Sequence, residues 1–482
     1  MAYPTLPLDA ALLDRLVCDS KDWAQSHGLV MRTREHKDKS DICQTAPFAL
    51  LPSSFPRNLY EQAVGVEEDM NLLYFLVSWD YEFIKESLAE VVETDEFTRR
   101  LMDIYTEVHK EGLAQTKVVQ IQRSDYMCHS SPDGSHSIKQ VEVNNIASSF
   151  GGLGELCTKM HMATLHYLGF DTEKLAQSIP ENRCLTTVAT GIYQAWLAYG
   201  ESNALVVFLV EDVNQNQLDQ RHVEYRISEF PDRRARVERL TLTDCAHRLE
   251  LCEKTKVLRL DGKDEVAVIY FRAGYVPDQY KSDLEWAGRL KIERSKAIKT
   301  PWIGLQLANT KKIQQVLAKP GVLEKFLPNN PEKVAAIRAT FAGMWGLESS
   351  DANTKTIVDE ALAHPEKFVL KPQLEGGGGN FYGAEVANKL TKLSAAERSA
   401  FILMERIHPM INTNYLIRSM QPVSLMGCVS ELGVFGYLLG DGASKAIDQN
   451  HVGGHILRTK AEGIDEGGIA VGAAVMDSPY LV

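Results

Sequence analysis

Residues 368–383, FVLKPQLEGGGGNFYG, constrain the fold more than any other stretch of the chain. A short β-type run, Phe368-Val369-Leu370, delivers Lys371; Glu375 follows, then four consecutive glycines, Gly376 to Gly379, then Asn380 and Tyr382. Glycines let backbone N–H groups approach phosphate oxygens and adopt angles closed to other residues. An ammonium group beside a carboxylate suits a nucleoside triphosphate with its metal: the lysine meets phosphate and the carboxylate holds Mg²⁺, which prefers oxygen ligands. A flexible hairpin tip would explain the glycines alone, but the flanking Lys and Glu favour a nucleotide loop. No Gly-Lys-Ser/Thr follows the glycines, so this is not a Walker A loop.

At 482 residues the chain exceeds one hydrophobic core, and two or three domains are expected. No apolar run reaches the ~18 residues needed to cross a bilayer. The start, MAYPTLPLDAALLDRL, lacks a basic segment followed by an apolar one, so no secretory signal is expected. A net charge of −12 argues against nucleic acid or an acidic membrane as partner, so an anionic substrate needs a local basic pocket. None of the eight cysteines forms a CxxC pair or stands at zinc-ligand spacing. Free thiols in a reducing compartment follow, with the cytoplasm as the simplest location.

The first ~115 residues read as helical from their apolar spacing. Helices are expected over Leu8 to Ala24, Asn71 to Glu90 and Asp95 to Glu111, with Pro47, Pro52 and Pro56 breaking the chain between the first and second. Strands 118–121 and 138–143 flank a hairpin-type turn, SPDGS, and helix resumes near Gly151. The run ALVVFLV at 204–210 reads as a strand buried on both faces, and 257–260 and 266–271 as a further pair joined by DGKD. Residues 205–310 therefore suggest an α/β unit with a parallel sheet, left by helices over Leu284 to Ile298 and Thr310 to Leu317. Two helices, the Lys371 strand, the glycine loop, Phe401 to Ile407, Val423 to Leu439 and a Gly/Ala-rich tail complete the chain.

Alternate strand residues share a face, so Glu142 and Asn144 can hold one cation, and with Glu375 they suit a pair of Mg²⁺ ions bridging phosphates. Exposed strand polarity is the plain alternative for Glu142 and Asn144 alone. Arg123, Arg272 and Arg458 each stand beside hydroxyl or glycine residues, and a guanidinium at a strand end suits bidentate carboxylate recognition. Surface salt bridges would explain each arginine singly. Lys311 opens the helix TKKIQQ as a further phosphate candidate, and Glu405 and Glu431 suit a ribose or metal-bound water. Glu431 precedes Gly433, where the backbone allows a close approach. There is no G-x-S-x-G elbow and no H-E-x-x-H, and the Ser-Phe-Gly-Gly at 149–152 has no His–Asp partners, so covalent catalysis is not expected.

Several stretches together resemble the eukaryotic glutathione synthetase family: RSDYM at 123–127, KQVEVNNIASSFGGL at 139–153, LDQR at 218–221, YFRAGY at 270–275 and TKKIQQ at 310–315. FVLKPQLEGGGGNFYG, ILMERI at 402–407, SELGVFG at 430–436, LRTK and EGGIAVGAAV continue the match in family order across about 360 residues. The resemblance implies an ATP-grasp fold of mixed α/β (α+β) class: an N-terminal helical region, an inserted smaller α/β substrate-binding domain and a lid. The implied division is 1–204 (helical region and first part of the catalytic domain), 205–312 (inserted domain) and 313–482 (ATP-grasp domain with lid and glycine-rich loop). The implied reaction joins γ-glutamylcysteine to glycine through an acyl phosphate, using ATP and two Mg²⁺ ions, in a cytoplasmic homodimer.

The resemblance also implies roles. Glu142, Asn144 and Glu375 are the metal ligands. Lys311, Lys371, Gly376, Gly377, Gly378, Asn380, Tyr382, Glu431, Lys460, Glu466 and the run Met404-Glu405-Arg406-Ile407 surround ATP. Arg123, Ser148, Ser149, Asn214, Asn216, Gln220, Arg272, Tyr275 and Arg458 hold the dipeptide, and Ile469 and Ala470 meet the acceptor. Arg123, Lys371 and Arg458 bear on the chemistry. Loops near 272–281, 374–382 and 461–473 are expected to close over the reactants. The chain departs from the family at Asn214, where many members carry a Glu that meets the substrate's amino group, and at Ala147, Gly379 and Asn145. Ala470 beside an aliphatic residue resembles the glycine-using pattern rather than that of enzymes using β-alanine. A non-catalytic nucleotide-binding protein and a small-molecule phosphotransferase are the rival readings; the first is disfavoured by the presence of both Glu142 and Glu375.

Overall fold

The computed structural model describes residues 3–231, 235–373, 379–465, 467–470 and 472–482. Strand Leu425–Asp441 is its spine, pairing antiparallel with Lys117–Ser130 on one side and Ala446–Ala461 on the other. These belong to a seven-stranded sheet, with His136–Asn144 at one edge. The turn into that edge strand closes by a hydrogen bond from Ser131 N–H to the Ser135 carbonyl at 2.9 Å, with Gly134 at φ +83°. Alternation buries both faces. Leu432, Val434 and Leu438 pack with helices Arg57–Ser78 and Glu96–Glu111, whereas Phe435, Tyr437 and Leu439 pack with Gly151–Tyr167 and Cys184–Tyr199.

A second sheet holds the parallel strands Arg236–Leu240, Leu205–Leu209, Asp264–Phe271 and Ile298–Thr300, extended antiparallel by Leu258–Leu260 and Leu249–Leu251. Every residue of Leu205–Leu209 is buried, as an all-apolar run requires. A third, four-stranded antiparallel sheet places Phe368–Pro372 between Phe381–Tyr382 and Phe401–Glu405, with Met344–Gly346 outermost. Helices Thr354–Ala363 and Ala384–Lys392 cover one of its faces.

The helical forecasts need four corrections. Helix Ala10–Ser26 begins two residues later than Leu8, because the Asp9 carboxylate accepts the N–H groups of Ala11 (3.1 Å) and Leu12 (3.3 Å). The proline-rich stretch behind it forms short strands, Val30–Arg32, Cys43–Thr45, Phe48–Ala49 and Ser53–Phe55. The helix expected from Asn71 instead runs Arg57–Ser78: Pro56 stands at its N-cap, where a missing N–H costs nothing. Asp80 then caps a separate helix, Tyr81–Ser87, through the Phe83 N–H at 3.0 Å. Helix Asp283–Glu293 stops before Ile298, where the Ser295 hydroxyl turns back on the Ile292 carbonyl (2.7 Å) and Ile298–Thr300 enters the parallel sheet.

Helix Arg57–Ser78 carries one group that resists its surroundings. Glu67 lies fully buried beneath the large sheet, accepting from Gln122 Nε2 at 3.3 Å. Burial pushes its carboxyl up to about 8, against the hydrogen bonds of Ser124 and Gln122. The native state thus keeps a proton that the unfolded chain releases in the ordinary carboxylate range. Between about pH 4.5 and 8, stability should fall as pH rises, by about 1.4 kcal/mol per pH unit from this group alone. Glu67→Gln should flatten that slope and raise Tm most at pH 8; parallel Tm profiles for the two proteins would refute the assignment.

Candidate functional site

Register assembles the polar patch. Arg123 and Asp125 lie on one face of strand Lys117–Ser130, opposite Asn144 and Glu142 respectively. The neighbouring ladder sets Glu431 against Arg458, and Asp125 against Gly433. Asp125 is fully buried and is grasped bidentately by Arg123, Nε to Oδ1 at 2.7 Å and Nη2 to Oδ2 at 2.8 Å. Its Oδ2 also accepts from Arg458 Nη2 at 2.6 Å and from Asn144 Nδ2 at 2.9 Å. Arg458 bonds Glu431 as well and stands 3.9 Å from Glu142. Gly433 is needed here, since a Cβ would lie 2.7 Å from Asp125 Oδ1 and 2.8 Å from Arg123 Cδ.

This patch forms one wall of a cavity of about 540 Å³. Lys371, Asn380, Tyr382 and the run Met404-Glu405-Arg406-Ile407 face it from the four-stranded sheet. The Lys371 ammonium donates to the Val141 carbonyl at 3.0 Å, tying that sheet to the strand carrying Glu142. Asn214, Asn216, Arg272 and Tyr275 line the end delivered by the parallel sheet, and Ser149, Glu431, Lys460, Ile469 and Ala470 complete the wall. Ser149 joins two arginines: its carbonyl accepts from Arg123 Nη1 at 3.1 Å and its hydroxyl from Arg272 Nη2 at 2.8 Å. Lys460 Nζ donates to the Asp465 carbonyl at 2.7 Å.

Three carboxylates, Asp125, Glu142 and Glu431, bring oxygens within 4.8 Å of one another. Their environments separate them. Burial raises the Glu142 carboxyl, but the charges of Lys311, Lys371, Arg458 and Arg123 overcome it and hold the group down to about 2. Glu431 is raised, by burial and by the two neighbouring carboxylates, against Arg458. Burial disfavours the Arg458 cation, yet Glu431, Asp125 and Glu142 hold its pKa far above the ordinary arginine value. Glu142 and Arg458 are thus held in their charged forms, whereas Glu431 is pushed toward its neutral one.

Some expected residues stand elsewhere. The Ser148 hydroxyl turns to the Asn144 carbonyl (2.8 Å) and lies behind the wall. Gln220 Oε1 accepts from Arg239 Nη2 at 2.8 Å, off the cavity, and Lys311 is buried and reaches Glu142 by its charge. Glu405 accepts the Gly343 N–H at 2.9 Å, and Asn214 engages neighbours at both ends of its amide. Glu375, Gly376, Gly377, Gly378 and Glu466 lie outside the described residues. Two residues escaped notice in the sequence. Asp125 is the common partner of the patch. Asp219 accepts the N–H groups of Phe150 (2.7 Å), Gly152 (2.9 Å) and Leu153 (3.1 Å), so the SFGG segment is a helix start capped from a distance.

Residues 10–481 match the family described as "Eukaryotic glutathione synthase, ATP binding domain". The chain belongs to the eukaryotic glutathione synthase family. It is 42% identical to glutathione synthetase of Homo sapiens over 481 residues, covering 100% of this chain and 99% of the relative. Identity is 42% to that of Mus musculus over 98% of each chain, and 36% to the chloroplastic enzyme of Arabidopsis thaliana over 98% of this chain and 86% of the relative. A solved structure, the apo form of a glutathione synthetase-like effector from Globodera pallida, superposes with a TM-score of 0.81 at 30% identity, covering 100% of both chains. The mixed α/β architecture agrees with an ATP-grasp family.

Asp125 gives a sharp expectation. Asp125→Asn leaves Arg123 and Arg458 without their shared counter-charge, a loss of roughly 2–4 kcal/mol, or 30- to 1,000-fold in turnover. Steady-state kinetics alongside a circular dichroism melt separates this from unfolding. Kinetic constants within about three-fold of the parent would show the carboxylate to be dispensable.

Proposed function

We propose that the cavity is the active site of an ATP-dependent, peptide-bond-forming ligase that joins γ-glutamylcysteine to glycine. The observation that carries this is the strand register that sets Arg123, Arg458, Glu142 and Glu431 opposite Lys371 in one cavity, with Asp125 buried behind them, in a chain of this family. The family supports ATP as co-substrate; two Mg²⁺ ions, a homodimer and a cytoplasmic location are our reading. Among the described residues, no helix is long and apolar enough to cross a membrane. We assign residues 1–204 and 313–482 to the ATP-grasp body and 205–312 to an inserted substrate domain.

The donors fit a hard cation. Glu142 is held ionised, and the Asn144 amide donates to Asp125 and to Glu142 (3.4 Å), leaving its carbonyl oxygen as the atom for a metal. Glu375 completes the proposed set. Bound there, Mg²⁺ would neutralise the triphosphate and orient it. The protein's own task is positioning and charge neutralisation. Lys371 meets phosphate, with Asn380, Tyr382 and residues 404–407 around the nucleotide. Arg123 and Arg458 balance the cysteinyl carboxylate as it attacks the γ-phosphate and the acyl phosphate as the glycine amine displaces phosphate. Ile469 and Ala470 narrow the acceptor end.

ATP-dependent phosphate release should require γ-glutamylcysteine and an acceptor, and mass analysis should find the tripeptide with glycine. One extra methylene in a tight acceptor site should lower kcat/KM for β-alanine by on the order of ten-fold. Equal values would rename the acceptor, and ADP without a new peptide bond would turn the reading to a phosphotransferase. Glu142→Gln should raise the Mg²⁺ concentration needed for half-maximal rate by an order of magnitude or more. An unchanged Mg²⁺ dependence would remove Glu142 from the metal site.

A further inference from the structure

Strand His136–Asn144 is the outermost of the seven-stranded sheet, and among the described residues no strand pairs with its far edge. Its end carries Glu142 and Asn144, and the flanking Val143 and Asn145 are buried. A buried main-chain group without a partner is costly, so something other than a strand must hold this edge. One side chain does so from 164 positions away: Asn309 Oδ1 accepts the Asn145 N–H at 2.5 Å, and Asn309 Nδ2 donates to the Val143 carbonyl.

The two bonds fall on either side of Asn144. They leave the amide one orientation, because turning it over would set oxygen against carbonyl and N–H against N–H. The Asn144 side chain is aimed by Asp125 and Glu142, and its own carbonyl accepts from the Ser148 hydroxyl at 2.8 Å. Asn309 fixes what those contacts leave, the main chain before and after the residue. Asn309 is itself buried and anchored: it ends helix Ile303–Ala308, with its N–H on the Leu305 carbonyl at 3.1 Å. Thr310 then caps helix Lys311–Leu317. One amide thus ties the strand of Glu142 and Asn144 to the turn that leads into Lys311. Against the burial of Glu142, Lys311 is the first of the charges that hold its carboxyl down.

We propose that Asn309 is a positioning residue for the reaction: its amide fixes the main chain on both sides of Asn144 and so holds the Glu142–Asn144 edge at a set distance from Lys311. It acts through Asn144, from behind the cavity wall. This rests on the ligase reading above, in which Glu142 and Asn144 bind Mg²⁺.

The test reads metal binding without turnover: the rise in Tm given by a non-hydrolysable ATP analogue, followed against Mg²⁺ concentration. Asn309→Ala should move the Mg²⁺ midpoint of that rise upward by about ten-fold or more, as loss of a group supporting a metal ligand does. KM for glycine, whose site lies elsewhere in the cavity, should be unchanged. Asn309→Ser puts a single oxygen in place of the forked amide and should move the midpoint in the same direction by less; it decides the matter if the alanine variant does not fold. A lower Tm without the analogue, at an unchanged Mg²⁺ midpoint, would overturn the proposal, since Asn309 would then serve only the fold. So would a KM for glycine raised as far as the midpoint, which would mark a general loosening of the site. No Mg²⁺-dependent rise for the unaltered protein would instead overturn the metal–nucleotide reading of the cavity, and this inference with it.

Discussion

The Asp125 carboxylate is the contact on which the site is built. It takes four hydrogen bonds, two from Arg123 and one each from Arg458 and Asn144, with no exposure to solvent. A buried ion pair adds little net stability over apolar packing, but removing one member strands its partners at high cost. Such an arrangement therefore specifies geometry more than it stabilises. Here it locks the residues of three strands against one another, forces glycine at 433, and sets Arg458 between Glu431 and Glu142. The placement of Arg123, Arg458 and Asn144 relative to one another follows from that one carboxylate.

The patch also reconciles an acidic chain with anionic substrates. Net charge is −12, yet Arg123, Arg458, Lys311 and Lys371 converge on Glu142 strongly enough to outweigh its burial. Glu431, on another strand, is shifted in the opposite direction, because its burial, with Asp125 and Glu142 adding to it, outweighs Arg458 and Lys460. Local arrangement decides the sign of the field, so the bulk charge says what the surface repels and nothing about what the cavity accepts.

Much of the site was legible because strands have a period of two. Glu142 with Asn144, and the arginine in RSDYM, announce a shared face, and Gly433 announces a close approach that Asp125 turns out to occupy. Family resemblance supplied what spacing lacks, such as Ser149, whose hydroxyl meets Arg272 123 positions away. Asp125 was hidden for the opposite reason: an acid two residues from an arginine looks like an exposed pair until the third partner, 333 positions away, is known. Helix ends were misjudged where a single polar side chain decides them, as Asp80 and Ser295 do, whereas the break expected at the prolines is there and Pro56 closes it at the N-cap of the next helix. Gln220 and Ser148 sit on the right elements, but their side chains turn inward to Arg239 and to the Asn144 carbonyl. Such side-chain directions depend on tertiary partners.

Ser149 joins two ends of the cavity. Ser149 offers its carbonyl to Arg123, beside Asp125, and its hydroxyl to Arg272, at the end of the cavity delivered by the parallel sheet. These two oxygens are joined by only a few covalent bonds, so the spacing of the guanidinium groups is set by bond geometry rather than by loop position. A reaction that needs its carboxylate and phosphate held in line gains most from such fixed spacing. The parallel sheet can then vary the residues it brings to the cavity, such as Asn214, without moving Arg123 or Arg458.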